Sequence, residues 1–95
     1  MTTIHIDRYA LTVEADGHAD YNTGEDIVCA AASMLMYTLR TFACEHGGMA
    51  LEKSGHMYVE FPPGENAYLI GGFDAICEGL RLLADEYPRH VCVMG

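Results

Sequence analysis

Basic residues are scarce in this chain of 95 residues. Only 5 lysines and arginines stand against 14 aspartates and glutamates, which gives a formal net charge of −9. A charge of this sign and size repels phosphate backbones and anionic lipid, so we expect neither nucleic acid nor a membrane surface as a partner. A basic or unstructured peptide suits the charge better.

Long apolar segments and a basic leader are also missing. Apolar residues make up 51% of the sequence, but no uninterrupted apolar run approaches the roughly 18 residues that cross a bilayer. The opening residues Met1-Thr2-Thr3 lead directly into alternating residues without a basic segment. We therefore expect a cytoplasmic protein with a single domain over residues 1–95.

Cysteine is present in 4 copies that lie far apart. Without a secretory signal, this spacing favours free thiols over a disulfide framework. Cys44 and His46 lie close together, but nothing nearby completes a four-ligand set, so we expect no metal and no cofactor. The four cysteines are Cys29, Cys44, Cys77 and Cys92.

The first residues alternate in the way that a β-strand does. Ile4 and Ile6 share one parity, whereas Leu11 and Val13 share the other, which requires a turn or a bulge between them. Pairing Ile6 with Leu11 and Ile4 with Val13 would place residues 8–9 in a hairpin turn. One long bulged strand is the alternative, since Arg-Tyr is not a typical two-residue turn.

A polar loop and an apolar helix come next. Residues 16–25 contain glycine, aspartate and asparagine and should form an irregular loop. Residues 27–39 carry no charge and are rich in alanine, methionine and leucine, which predicts a helix that ends with Gly47 at the C′ position. A helix that is apolar all round must be covered all round, either by a second subunit or by the second helix of the same chain.

The second half of the chain reads as a hairpin, a helix and a strand. Met49 and Leu51 can pair with Val59 and Met57 across a loop at residues 53–55. An amphipathic helix then ends before Pro88, and residues 90–94 form a last strand. The order ββαββαβ predicts an α+β fold in two layers, with two helices on a mainly antiparallel sheet. The apolar face of the second helix comprises Leu69, Phe73, Ile76, Leu80, Leu83 and Tyr87.

Cys29 is the strongest candidate for a nucleophile. It follows a glycine-rich loop at the start of a helix, where unpaired N–H groups and the helix dipole favour a thiolate. Asp26 as N-cap would place Cys29 at the third helical position, whereas Thr23 as the cap would place it in the second turn. His18, at the junction of strand and loop, could serve as the general base.

These residues also carry a resemblance to a known family. The signature of the Prp family, the ribosomal-processing cysteine proteases, resembles residues 17–19 (Gly-His-Ala) and residues 24–31 (Gly-Glu-Asp-Ile-Val-Cys-Ala-Ala), with Ser33 shortly after. Weaker similarity extends over most of the chain. The resemblance implies a small homodimer with helices and a sheet, a peptide substrate, and the catalytic pair His18 and Cys29.

The resemblance assigns supporting roles to two further residues. Asp26 would orient His18 or cap the helix. Ser33 lies one turn after Cys29 on the same helix face and would position the thiol or the substrate. The alternative for Ser33 is a hydroxyl that bonds to the backbone of its own helix.

Gly17 and Gly24 would act as hinges of a loop that orders over bound peptide. Family members remove an N-terminal extension from ribosomal large-subunit protein twenty-seven, cutting beside aromatic residues in a basic tail. Here the loop between His18 and Cys29 is one residue shorter than the family pattern and the first hairpin is truncated. These departures allow two alternatives: a relative from a mobile element or phage with another substrate, or a catalytically silent dimer that binds a peptide.

Overall fold

A computed structural model of the protein describes residues 1–17 and 26–95. Within these residues, five strands and two helices follow one another in the predicted order ββαββαβ, so the predicted α+β class is confirmed. The elements are β1 (Thr2–Asp7), β2 (Thr12–Asp16), α1 (Asp26–Glu45), β3 (Met49–Lys53), β4 (His56–Glu60), α2 (Ala67–Glu86) and β5 (Val91–Met94).

The five strands form one sheet in the order β3-β4-β2-β1-β5. Only the β1–β5 pair is parallel; the other three pairs are antiparallel. Both helices pack on the same face of the sheet and contact each other. Fully buried residues come from every layer of this core, which confirms the two-layer arrangement. They include Ile4, Val13, Leu39, Val59, Phe73 and Leu80.

The first two strands do form a hairpin, but the predicted register is wrong. Ile6 pairs with Val13 and Ile4 pairs with Ala15, so every partner lies two residues later than predicted. Leu11, the predicted partner of Ile6, lies in the turn and is buried there.

The side chain of Asp7 explains this longer turn. One of its carboxylate oxygens accepts hydrogen bonds from the backbone N–H groups of Tyr9 and Ala10, both at 3.0 Å. An aspartate that bonds to the backbone two and three residues ahead stabilises a wider turn than two residues allow. Leu11 then closes the turn with a positive φ of 54°.

The second hairpin is present as predicted, but its register is wrong by one residue. Leu51 pairs with Tyr58 instead of Met57, and Met49 is displaced from Val59 in the same way. The cause is the turn, which has two residues instead of three.

In this turn, Lys53 pairs with His56 across Ser54 and Gly55. Gly55 has a φ of 76°, a left-handed conformation that glycine adopts without strain. Met57 is buried in the core, whereas Leu51, its predicted partner, is exposed.

Helix α1 ends in the predicted way. Gly47 has a φ of 93°, and the N–H of Gly48 donates to the carbonyl of Ala43 at 2.7 Å, as in a Schellman motif with glycine at C′. A Cβ on Gly48 would lie 2.4 Å from the carbonyl oxygen of Glu60. The connection from α1 to β3 therefore passes directly over the end of β4.

The two helices pack closely because α2 presents a glycine to α1. A Cβ on Gly72 would lie 2.4 Å from the ring of Phe42, whereas a Cβ on the neighbouring Gly71 would meet nothing within 4 Å. The start of α2 is fixed by Asn66, whose side-chain oxygen accepts from the N–H groups of Tyr68 and Leu69.

The outer side of α1 remains apolar and exposed. Ile27 is 70% exposed and Met34 is 66% exposed, so α2 covers only part of the helix. By length and composition alone, the segment Ile27–Glu45 could cross a membrane. The core helix of a soluble domain meets the same criterion, and the opposite side of α1 is part of the core through Val28 and Leu39.

Candidate active site

A cavity of about 280 Å³ opens between the first turns of α1 and the β3–β4 turn. It is lined by Cys29 of α1 and by the ends of four strands, β1 to β4. The described residues that line it are Thr2, Ala15, Gly17, Cys29, Ala32, Ser33, Met36, Tyr37, Glu52, Lys53, Gly55, His56 and Met57.

The candidate nucleophile lies in this cavity. Cys29 is the fourth residue of α1 and is half-buried. Because α1 begins at Asp26, Cys29 lies one position later than a cap at Asp26 would place it, yet still in the first turn. The positive end of the helix dipole lies at this first turn and favours negative charge on the sulfur.

Ser33 lines the same cavity as Cys29. The spacing of four residues places both on one face of α1, as the sequence indicated. Within the described residues, the Ser33 hydroxyl makes no hydrogen bond to its own helix. Thr38 on the same helix does make such a bond, donating to the carbonyl of Met34 at 2.7 Å. The Ser33 hydroxyl is therefore available to a group that enters the cavity.

Three of the predicted site residues lie wholly or partly outside the described residues. His18 and Gly24 belong to the segment 18–25, and of Asp26 only the backbone is described, as the first residue of α1. The roles predicted for these three residues stay predictions.

Gly17, the last described residue before His18, is held on two sides. Its N–H donates to the carbonyl of Gly55 in the β3–β4 turn at 2.9 Å. Its φ is 105°, and a Cβ there would lie 2.3 Å from the carbonyl oxygen of Met1. Only glycine fits this conformation and this contact. The chain therefore leaves β2 for His18 from a fixed point beside the cavity.

His56 is a member of the site that the sequence did not indicate. Its Nδ1 lies 2.5 Å from a carboxylate oxygen of Asp16, and its Nε2 lies 3.3 Å from a carboxylate oxygen of Glu14. The contacts arise because β2 pairs with β4 in a register that brings Asp16 opposite His56.

Glu14, Asp16 and His56 also have the side-chain types that bind metals, and their ligand atoms lie within 4.8 Å of one another. Each ring nitrogen of His56 already faces a carboxylate. These contacts tie the end of β2 to the start of β4.

The opposite wall of the cavity connects α1 to β3. The Tyr37 hydroxyl donates to a carboxylate oxygen of Glu52 at 3.1 Å, and Arg40 forms a salt bridge with the other oxygen. The Arg40 guanidinium also lies over the Tyr37 ring, 4.6 Å from its centre. These contacts fix the edge strand β3 against the helix that carries Cys29.

The four cysteines are free, as predicted, but their surroundings differ. Cys77 lies in the seam between α2 and the sheet, where burial raises the pKa of its thiol to about 11. A thiol with that pKa is almost entirely protonated near neutral pH and reacts slowly. Cys29 is half-buried at a cavity and lies where a substrate can reach it.

The family model of the cysteine protease Prp matches residues 1–92. The ribosomal processing protease Prp from Staphylococcus aureus, solved with a substrate peptide, has a TM-score of 0.76 and 21% identity, over 99% of this chain and 98% of that chain. The same protease with a covalently linked product peptide has a TM-score of 0.74 and 21% identity, over 97% and 94%.

A protein from Streptococcus mutans has a TM-score of 0.72 and 25% identity, over 97% of this chain and 89% of that chain. A search of curated protein sequences finds no match. The structural likenesses establish a shared fold, and the family model extends over almost the whole sequence. The chain therefore belongs to the Prp family of cysteine proteases.

Proposed function

We propose that this protein is an endopeptidase in which Cys29 is the nucleophile and His18 is the general base. Its substrate is the N-terminal extension of ribosomal large-subunit protein twenty-seven. The observation that carries the proposal is the cavity in which Cys29 and Ser33 face the turn between β3 and β4. Membership of a cysteine protease family supports a thiol as the nucleophile in this cavity.

The reaction has two halves. His18 takes the proton of the Cys29 thiol, and the sulfur attacks the carbonyl carbon of the scissile peptide bond. The C–N bond then breaks, and the amine leaves with the proton that His18 returns. Water, activated by the same imidazole, hydrolyses the thioester to release the carboxylate product and restore the thiol.

The other predicted site residues have supporting roles in this proposal. Asp26 orients His18 or caps α1, and Ser33 positions the thiol or the substrate. Gly17 and Gly24 flank the loop that closes over the peptide. The available Ser33 hydroxyl and the fixed backbone of Gly17 support these assignments.

Surface chemistry supports the remaining parts of the proposal. A net charge of −9 suits a basic tail and disfavours nucleic acid and anionic membranes. The exposed Ile27 and Met34 on α1 favour a homodimer in which a second copy covers this helix. Four free thiols suit the cytoplasm. The single protease domain spans residues 1–95.

The test uses the full chain and a synthetic peptide with the sequence of the ribosomal extension. We expect cleavage by the unmodified protein and by a Cys44→Ala control, since Cys44 is exposed at the far end of α1. Cys29→Ala should abolish cleavage and leave peptide affinity intact. His18→Ala should lower both the cleavage rate and the rate at which iodoacetamide alkylates Cys29 near neutral pH.

Each part of the proposal can fail separately. Cleavage by Cys29→Ala would exclude this nucleophile, and an unchanged alkylation rate in His18→Ala would exclude this base. A mass-spectrometric search for truncated proteins, comparing cells with the unmodified chain and with Cys29→Ala, identifies the substrate. If the truncated protein were a viral precursor, the ribosomal assignment would be wrong.

A further inference from the structure

Strand β3 lies at the edge of the sheet and has a neighbour on one side only. Among the described residues, no strand pairs with its other side. Its side chains do not protect that edge: Met49 and Leu51 are exposed, and the strand has no proline and only Lys53 as a cation. Edges of this kind are open to pairing with another extended chain.

The register identifies which backbone groups are unpaired. Gly17 donates to Gly55 and Phe61 donates to Leu11, so odd-numbered residues from 55 to 61 direct their N–H and C=O groups toward β2. The even-numbered residues of β4 must then bond to β3.

Consequently, the partners of those even-numbered residues on β3 are already bonded. They are Met49, Leu51 and Lys53. The N–H and C=O groups of Ala50 and Glu52 point the other way, toward the open edge.

This open edge leads to the candidate active site. Glu52 and Lys53, at the end of β3, line the same cavity as Cys29 and Ser33. Glu52 is fixed by Tyr37 on α1. A chain that pairs with Ala50 and Glu52 would continue in extended form into the cavity.

We propose that the substrate peptide binds as an additional strand on the open edge of β3, hydrogen-bonded to the backbone of Ala50 and Glu52. This inference rests on the proposed function, because it concerns the path of the substrate to Cys29. Backbone pairing supplies affinity that depends little on sequence, and alternate side chains supply selectivity.

The occupant is an extended, positively charged peptide. The charge of −9 attracts a basic segment from solution. Once paired, alternate peptide side chains would lie beside Leu51 and Met49 on the outer face of the sheet. The edge is also continuous with the cavity that contains Cys29. Pairing with a strand of a second copy would not require this continuity, whereas a substrate must reach Cys29.

Amide hydrogen exchange tests the backbone pairing directly. The experiment uses the Cys29→Ala protein, so that the peptide stays intact. This protein is saturated with a short synthetic peptide that has a central aromatic pair followed by lysines. We expect the N–H groups of Ala50 and Glu52 to exchange at least about tenfold more slowly with peptide present. The N–H of Leu51, which already bonds to Tyr58, should not change.

A second measurement uses substitutions of matched exposure. Leu51 is 58% exposed on β3, and Leu82 is 59% exposed on α2. In the otherwise unmodified enzyme, Leu51→Ser should raise KM severalfold with little change in kcat, whereas Leu82→Ser should leave both constants unchanged. Methylation of successive peptide nitrogens should weaken binding by roughly threefold to tenfold at every second position.

The outcomes separate this inference from the proposed function. Cleavage without slowed exchange at Ala50 and Glu52, or without the alternating effect of methylation, would overturn the strand pairing alone. Slowed exchange that depends on protein concentration in the absence of peptide would assign the edge to a second copy and overturn the inference. A peptide that neither binds nor is cleaved would overturn both proposals.

Discussion

Burial of the Cys77 thiol should make the protein unstable in alkaline solution. The pKa of this thiol is raised from 9.0 to about 11, chiefly because burial disfavours the thiolate, with the nearby Arg81 opposing part of the effect. In the unfolded chain the thiol ionises near pH 9, while in the folded protein it stays protonated. Its contribution to stability is therefore complete below pH 9 and is lost as the pH rises toward 11.

The size of the loss follows from the two pKa values. Their difference corresponds to about 3 kcal/mol, a large fraction of the roughly 5–15 kcal/mol by which a small domain is stable. Cys77→Ala should lower stability at neutral pH, because it leaves a small cavity beside Phe73 and Leu80. Above pH 9, however, the variant should lose less stability than the unmodified protein.

Urea unfolding at several pH values between 8 and 11 would measure this difference. Tyrosine and lysine side chains also ionise in that range, but they do so equally in both proteins. Cys44→Ala is the matched control because Cys44 is exposed, and its pH dependence should follow that of the unmodified protein. Parallel stability curves for the unmodified protein and Cys77→Ala up to pH 11 would refute the reasoning.

Two further predictions concern glycines. Gly71→Ala should stabilise the protein by about 0.5–1 kcal/mol, because the new Cβ meets open space in a helix. Gly72→Ala should destabilise it, because the new Cβ would press on the packed ring of Phe42. Thermal unfolding of the two single variants checks the opposite signs, and equal effects would contradict the close packing of the helices. Gly17→Ala should cost at least about 1 kcal/mol and reduce peptide cleavage, since it opposes a φ of 105° and the contact with Met1. Unfolding and kinetic assays check this together, and an unchanged kcat would show that the end of β2 does not position the site.

The sequence predicted the kind and order of the elements but not the strand registers. Periodicity reports which face of an element is apolar, and α2 was recognised from it, whereas α1 was recognised from its alanine, methionine and leucine content. Register depends on the turns. The side chain of Asp7 widens the first turn, and Ser54-Gly55 shortens the second. Both effects come from turn residues, which the alternation along the strands does not take into account.

The candidate site was predictable where it depends on local spacing. Cys29 and Ser33 share a helix face because four residues make about one turn. The contacts of His56 were not predictable, since they join residues 40 positions apart through the pairing of β2 with β4. The same limit applies to the open edge of β3, which depends on the strand order.

The crowded junction at Gly48 has a consequence for the far end of α1. Cys29 lies about 24 Å along the helix axis from Glu45, at about 1.5 Å per residue. A small rotation of α1 about its C-terminal end therefore moves Cys29 by a large distance. A tilt of about 5° would displace the sulfur by about 2 Å. A misplacement of about 1 Å can slow an enzyme on the order of a hundredfold. Substitutions at Gly48 should accordingly appear as losses of activity, although the residue lies at the opposite end of the helix from the chemistry.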